Sequence, residues 1–167
     1  MTARHIPARL LSDIVSLARD VNQILREDAK PNDVLVMSRY TTGYCKVAAV
    51  MMTDYLFVVG PREFEVRISP QLIRGINVPG CLGQDRFHGW EKLHYLALLE
   101  LDREAIAIDT TAAQLKGRNR KFKDTEVLMI ISTPAEILKA IKSIYGGGNW
   151  EKVPLNSMPF DSTHNKS

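Results

Sequence analysis

Three residues of the chain, Cys45, His94 and Asp109, have the side chains of a thiol-based catalytic site. A thiolate is a strong nucleophile, an imidazole can carry its proton, and a carboxylate can orient the imidazole and stabilise its cation. Cys45 follows Gly43 at the start of an apolar segment, and the first turn of a helix favours a thiolate. The three side chains together predict a nucleophilic thiol assisted by an acid–base pair. Cysteine also occurs as a small apolar residue on the buried side of helices, so a purely structural role of Cys45 is the alternative.

The segment 94–114 (HYLALLELDREAIAIDTTAAQ) predicts a β-hairpin of two apolar strands around the charged pair 102–103. If that pair forms a two-residue turn, Asp109 lies opposite Leu96, on the face of the sheet that also carries His94. His94 and Asp109 are then diagonal neighbours within hydrogen-bond reach. A four-residue loop would pair them directly, whereas a three-residue loop would put them on opposite faces, so the prediction depends on the register. The alternative is a purely structural pair, because buried polar groups need partners in any protein.

These motifs resemble the papain-like and transglutaminase-like cysteine hydrolase superfamily. Residues 43–45 (GYC) open an apolar helix, His94 leads a strand, and the run 108–115 (IDTTAAQL) ends the next strand. The resemblance covers residues 38–116. It implies that Cys45 is the nucleophile, His94 the general base and acid, and Asp109 the residue that orients the imidazole. It also implies a papain-like α+β fold, in which a central buried helix carries the cysteine at its N-terminus and packs on an antiparallel sheet.

Two positions depart from the superfamily pattern. Leu115 stands where an aromatic residue is frequent, and no glutamine lies a few residues before Cys45, where papain-type proteases carry an oxyanion-hole side chain. An oxyanion hole would then consist of the Cys45 backbone N–H and a second donor. Tyr40 is the candidate for that donor, and Gln114 is a further candidate for an orienting residue.

The resemblance also implies the substrate class. It predicts a hydrolase for an amide bond, as a peptidase, an amidase or a protein glutamine deamidase, working through a thioester intermediate on a protein or peptide. Acyltransferases and transglutaminases use a similar triad, and the sequence leaves that alternative open. The residues indicate no cofactor and no metal site.

The remaining polar motifs have simpler interpretations. His88 has no carboxylate at hairpin spacing and is expected in a surface loop, whereas Cys81 has no nearby His or Cys with which to bind a metal. The glycines 146–148 lack the Lys and Ser or Thr of a phosphate loop. The basic segment 116–123 (KGRNRKFK) indicates a solvated loop, because no nucleic-acid motif surrounds it. A docking site for an acidic partner or nucleic acid is the alternative, in a non-catalytic binding module.

The elements that must position the candidate site follow from apolar spacing. A helix is predicted after Pro7 and before Pro31, and a second helix over residues 45–56 is apolar nearly all round, which predicts burial on most faces. Besides the hairpin, strands are predicted over 64–69 and 127–132, with a further strand or extended segment over 33–40. Residues 70–90 are expected to be irregular because of their Gly and Pro.

The end of the chain shows a helix and then a tail. Thr133 to Glu136 (TPAE) has the pattern of a capping box, so a helix is predicted to begin at Thr133 and to end at Tyr145. Residues 149–167 are expected to form a loosely ordered tail. The domain organisation predicted is one papain-like catalytic domain over 1–148.

Composition limits the possible classes of protein. The chain has 167 residues, 45% of them hydrophobic and 25% charged, which is typical of one globular domain. A net charge of +3 does not by itself indicate a nucleic-acid partner. Two cysteines are too few for a disulfide framework, and no signal peptide or membrane-spanning stretch is evident. A cytoplasmic location is expected by default, with export as a signal-less effector left open, and the oligomeric state is undetermined.

Overall fold

The computed structural model describes residues 6–28, 45–57, 69–79, 93–112 and 127–153. This part of the chain contains three helices, which are α1 (Ala8–Asp28), α2 (residues 45–57) and α3 (Ile137–Tyr145). It also contains five strands, which are β1 (Ser69–Ile76), β2 (His94–Glu100), β3 (Ala105–Asp109), β4 (Leu128–Ser132) and β5 (Asn149–Val153). The strands form one antiparallel sheet in the order β4-β3-β2-β1-β5. The predicted α+β class is therefore confirmed.

Helices cover both faces of the sheet. Successive side chains of a strand point to opposite faces, so Leu96 and Leu98 of β2 pack with α3, whereas Ala97 and Leu99 pack with α1 and α2. The two sides are named here the α3 face and the α1/α2 face. Every described residue of β2 except Glu100 is buried, as expected for a central strand with a helical layer on each side.

The first helix agrees with its predicted bounds. The Leu10 N–H donates to the Pro7 carbonyl oxygen at 3.0 Å, so the helix starts directly after the proline. Its buried stripe consists of Leu10, Ile14, Ala18 and Val21, at the spacing of three and four residues that an amphipathic helix requires. Burial of this stripe against the sheet and α2 holds α1 in place.

The second helix is less buried than predicted. Cys45, Ala48, Met52 and Leu56 lie on its buried side, but Phe57 is 61% exposed and Val47 and Tyr55 are also exposed. Within the predicted range 45–56, most residues are buried or partly buried, and the apolar side chains that depart from the expectation are Val47 and Tyr55. Only one side of α2 meets the sheet and α1, so the apolar side chains on its other side remain in contact with solvent.

The stretch expected to be irregular begins with a strand. Residues 69–76 form β1, which pairs with β2 from Ser69 to Gly75 and with β5 from Leu72 to Ile76. Pro70 lies beyond the pairing with β5, so its missing N–H costs no hydrogen bond on that side. Of the predicted strand 64–69, only Ser69 belongs to the described part of the chain, and the predicted segment 33–40 lies outside it.

The hairpin has the predicted register. Ala97 lies opposite Ile108 and Glu100 opposite Ala105, and the Leu101 N–H donates to the Glu104 carbonyl oxygen at 2.8 Å. These pairs close a two-residue turn at 102–103. The prediction is therefore confirmed, and with it the placement of His94 and Asp109 on one face.

The last helix begins later than predicted. Thr133 accepts the Glu136 N–H at its side-chain oxygen, at 3.2 Å, and at its carbonyl oxygen, at 3.1 Å. The bond to the carbonyl spans three residues, so a tighter turn precedes the α-helix, which starts at Ile137. The predicted end at Tyr145 is confirmed, since Gly146 caps the helix in the left-handed conformation, with φ of 78°.

The predicted tail is wrong at its beginning. Residues 149–153 form β5, which pairs antiparallel with β1, with Trp150 opposite Gly75 and Val153 opposite Leu72. The three glycines 146–148, all with positive φ, turn the chain from α3 back along the sheet edge. The strand is mostly exposed, which explains why its sequence lacks the apolar pattern of a buried strand. Residues 154–167 lie outside the described part.

Candidate functional site

His94 and Asp109 form a buried hydrogen-bonded pair on the α3 face. His94 Nε2 lies 2.8 Å from Asp109 Oδ2, and each residue is only 2% exposed. The hairpin register makes them diagonal neighbours, so the contact follows from the two-residue turn. The predicted hydrogen bond between these residues is therefore confirmed.

Asp109 is held by two further residues. The Thr111 backbone N–H donates to Oδ1 at 2.8 Å and its hydroxyl to the same oxygen at 3.1 Å. The Tyr145 hydroxyl donates to Oδ2, the oxygen that also bonds His94. Burial acts to raise the pKa of Asp109, but the charge of His94 and the hydrogen bonds from His94, Tyr145 and Thr111 outweigh it and lower that pKa. Asp109 is therefore ionised at neutral pH.

Two aromatic rings enclose the imidazole. The ring centroid of Tyr145 lies 5.5 Å from that of His94, and the Trp150 ring meets His94 edge-on at 6.4 Å. Trp150 can approach this closely because Gly75 opposite it has no side chain: a Cβ there would lie 2.6 Å from a carbon of the indole ring. The imidazole and carboxylate therefore lie in a low-dielectric environment, where their electrostatic interaction is strengthened.

Neither Tyr145 nor Trp150 was identified from the sequence as part of the site. For Tyr145 a signal exists, since it follows Ile137 and Ile141 at four-residue spacing, on the buried stripe of α3. A tyrosine on such a stripe needs a partner for its hydroxyl. Trp150 was assigned to the tail, and no local pattern indicates that its ring reaches His94.

Cys45 lies on the α1/α2 face of the sheet. It is 2% exposed and belongs to a small cluster with Ala49, Leu72 and Tyr95. Burial raises the pKa of the Tyr95 phenol, and the Lys46 ammonium lies 5.6 Å from the centre of that ring. The thiol therefore has apolar and aromatic neighbours on one side of β2, and Cys45 is the first described residue of α2.

Cys45 and His94 belong to different groups of packed side chains in the described structure. Tyr95, which shares the cluster with Cys45, directly follows His94, so the two side chains point to opposite faces of β2. His94 instead points toward Tyr145 and Trp150. The residues whose mutual contacts are established on the α3 face are His94, Asp109 and Tyr145.

The other candidates of the sequence lie mostly outside the described residues. This applies to the oxyanion-hole and orienting candidates Tyr40 and Gln114, to His88 and Cys81, and to the basic segment 116–123. Within residues 6–28, 45–57, 69–79, 93–112 and 127–153, no group of three His, Cys, Asp or Glu side chains is placed to hold a metal ion. No helix among those residues has the length and apolar character needed to cross a bilayer.

The arrangement on the α3 face can hold and move a proton. With Asp109 ionised, Nε2 of His94 carries a hydrogen that it donates to the carboxylate, and the base nitrogen would be Nδ1. The carboxylate fixes the tautomer and stabilises the imidazolium, as a general base requires. Comparison with protein-family models, with curated proteins and with solved structures finds no match for this chain.

Proposed function

We propose that this protein is a hydrolase that cleaves an amide bond through a thiol nucleophile, with His94 as general base and acid. The observation that carries the proposal is the buried pair of His94 and Asp109, with 2.8 Å between Nε2 and Oδ2. Such a pair keeps the imidazole in one tautomer and one orientation. These properties are required of a residue that accepts a proton from a thiol and returns it to a leaving amine.

The proposed reaction has two halves. Cys45 gives its proton to His94 and its sulfur bonds to the carbonyl carbon; the C–N bond then breaks, and the amine leaves with the proton of the imidazolium. Water next attacks the thioester while His94 takes its proton, and the C–S bond breaks to release the acid and restore the thiol. The resemblance to cysteine hydrolases supports peptide bonds or glutamine side-chain amides as substrates.

The position of Cys45 sets a condition on this mechanism. Its side chain belongs to the cluster on the α1/α2 face, whereas His94 lies on the α3 face. Attack by Cys45 would require a second conformation in which the first turn of α2 brings the sulfur beside His94. Cys81 is the other thiol of the chain, so an experiment must distinguish the two.

The same separation favours a second candidate function, a non-catalytic binding module. His94 and Asp109 would then serve stability alone, because a buried hydrogen-bonded network with Tyr145 ties α3 to the sheet. The basic segment 116–123 would dock an acidic partner or nucleic acid.

Alkylation with iodoacetamide, mapped by mass spectrometry, distinguishes the two functions. The hydrolase predicts that one thiol reacts faster than free cysteine at neutral pH, because a neighbouring imidazole increases its thiolate fraction. The substitution His94→Gln should slow that reaction by about tenfold or more, in line with the effect of losing an acid–base partner. His88→Gln is the matched control and should leave the rate unchanged.

The identity of the fast thiol tests the role of Cys45. Loss of the fast reaction in Cys45→Ser, with Cys81→Ser unaffected, supports the proposal. Loss in Cys81→Ser alone contradicts the role of Cys45 and moves the nucleophile to Cys81. Two slow thiols that are insensitive to His94→Gln contradict the hydrolase and favour the binding module.

A further inference from the structure

An open cavity of about 310 Å³ lies between α3 and the start of β5. The described residues that line it are Leu138, Lys139, Lys142, Gly148, Asn149 and Trp150. The volume lies at the lower end of the range that holds small molecules. None of these residues donates a hydrogen bond to Asp109, and the cavity shares only Trp150, whose ring contacts His94, with the site described above.

The charged groups of the cavity are both cations. Lys139 and Lys142 are three residues apart on α3, so their side chains lie on the same side of the helix. Neither side chain forms an ion pair or hydrogen bond with a residue in the described ranges. Two ammonium groups therefore border the cavity, and no carboxylate of the described residues pairs with them, which indicates an anionic ligand.

Part of the lining is apolar, and its aromatic ring is fixed in position. The Trp150 indole N–H donates to the Gly147 carbonyl oxygen at 2.9 Å, which holds the ring and uses its only polar group. A Cβ on Gly148 would lie 3.1 Å from the indole nitrogen, so the glycine permits this close approach. Leu138 extends the apolar surface. A ligand would meet an aromatic surface on this side, and Asn149 offers an amide that can donate or accept.

We infer that the cavity binds a small carboxylic acid with an aromatic or aliphatic body. The two lysines would bind the carboxylate by charge-assisted hydrogen bonds, and the body would lie against Trp150 and Leu138. A phosphate group fits less well, because it has no apolar part to bury. In addition, the carbonyl end of α3 lies beside Lys142, and the helix dipole disfavours a dianion there more than a monoanion.

Binding can be followed at Trp150 in the full-length protein. The chain has two tryptophans, Trp90 and Trp150, so two indole N–H signals are expected in a nitrogen-15 NMR spectrum, and Trp90→Phe assigns them. Phenylacetate is the probe, phenylacetamide is its neutral counterpart, and inorganic phosphate is the competing anion. We expect phenylacetate to shift the Trp150 signal to saturation and phenylacetamide to bind roughly tenfold more weakly, since it lacks the charge that strengthens the hydrogen bonds.

Charge substitutions complete the test. Lys139→Gln and Lys142→Gln should each weaken phenylacetate binding by roughly tenfold, the effect of removing a hydrogen bond to a charged group. Arg103→Gln, at the exposed tip of the hairpin, is the matched control and should leave binding unchanged. An unshifted Trp150 signal in each unliganded variant shows that the cavity is intact.

Several results would overturn the inference. They are the absence of saturation with millimolar phenylacetate, equal binding of the neutral amide, tighter binding of phosphate, or an equal loss in Arg103→Gln. Because the readout is binding, a failure here leaves the proposed hydrolase untouched, and a failure of the hydrolase leaves the cavity untouched.

Discussion

His94 and Tyr95 are consecutive in β2, yet they belong to different sites on opposite faces of the sheet. His94 bonds Asp109 on the α3 face, whereas Tyr95 packs in the cluster of Cys45 on the α1/α2 face. The alternation of a strand imposes this separation. A reaction that uses both Cys45 and His94 therefore requires the two side chains to reach the same face of the sheet. The hydrogen bond between His94 and Asp109 requires no such rearrangement.

The substitution Asp109→Asn should destabilise the fold by about 3 kcal/mol at neutral pH, because it leaves the buried His94 without its charged partner. Urea unfolding measures this loss. Asp102→Asn, in the exposed hairpin turn, is the control and should change stability by less than about 0.5 kcal/mol.

The pH dependence of stability should also show the contribution of ionised Asp109. The pKa of Asp109 is lower in the folded protein than its ordinary value, so its contribution is complete above the ordinary value of about 3.9 and is lost as the pH falls through the folded pKa. The wild type should therefore lose more stability than Asp109→Asn on acidification below about pH 4. Parallel curves for the two proteins would contradict the ionised state of Asp109.

The substitution Tyr145→Phe tests the hydroxyl that donates to Asp109. Because this is a hydrogen bond to a charged group in the core, its removal should cost about 1.5 to 3 kcal/mol in urea unfolding. It should also raise the pKa of Asp109, which NMR titration of its carboxyl carbon can follow, because one lowering contact is lost. Tyr55→Phe, on the exposed side of α2, is the control. An unchanged Asp109 titration would contradict the role given to Tyr145.

The substitution Gly75→Ala should cost about 1 to 3 kcal/mol, since a Cβ would lie 2.6 Å from both Trp150 and Val78. Combining it with Trp150→Leu should give less than the sum of the two single effects, because the smaller side chain relieves part of the clash. Gly146→Ala is a useful comparison: it has φ of +78° and nothing within 4 Å, so its cost is backbone strain. That cost should add to the effect of Trp150→Leu. Additive effects of Gly75→Ala and Trp150→Leu would contradict the close approach of the Trp150 ring to Gly75.

Substitutions on the two sides of α2 test its orientation. Met52→Ala should cost about 2 to 5 kcal/mol, because this side chain is completely buried against the sheet and α1. Val47→Ala, on the exposed side, should change stability by about 0.5 kcal/mol or less. Thermal or urea unfolding measures the stability of both variants. Equal losses of stability in Met52→Ala and Val47→Ala would indicate that α2 is buried on all sides.

Part of the candidate site could be predicted from sequence because it depends on local rules. The charged pair 102–103 between two apolar runs predicts a two-residue turn, and the period of two then places His94 beside Asp109. Tyr145 was predicted as the end of α3, but its contact with Asp109 depends on how α3 docks, which no local pattern specifies. The strand around Trp150 was missed because an exposed edge strand needs little apolar sequence.

Local sequence patterns predict the hairpin register, the amphipathic stripe of α1 and the glycine at the end of α3. Each of these arises from residues close together in the chain, through turn geometry, helical spacing and backbone conformation. No local pattern specifies which face of the sheet each helix covers. That choice depends on contacts between distant segments, and it placed α3 with Tyr145 over His94 and α2 with Cys45 on the other side. Two helices with apolar stripes can cover either face of a sheet that is apolar on both, so the pattern of β2 alone could not assign Cys45 to a side.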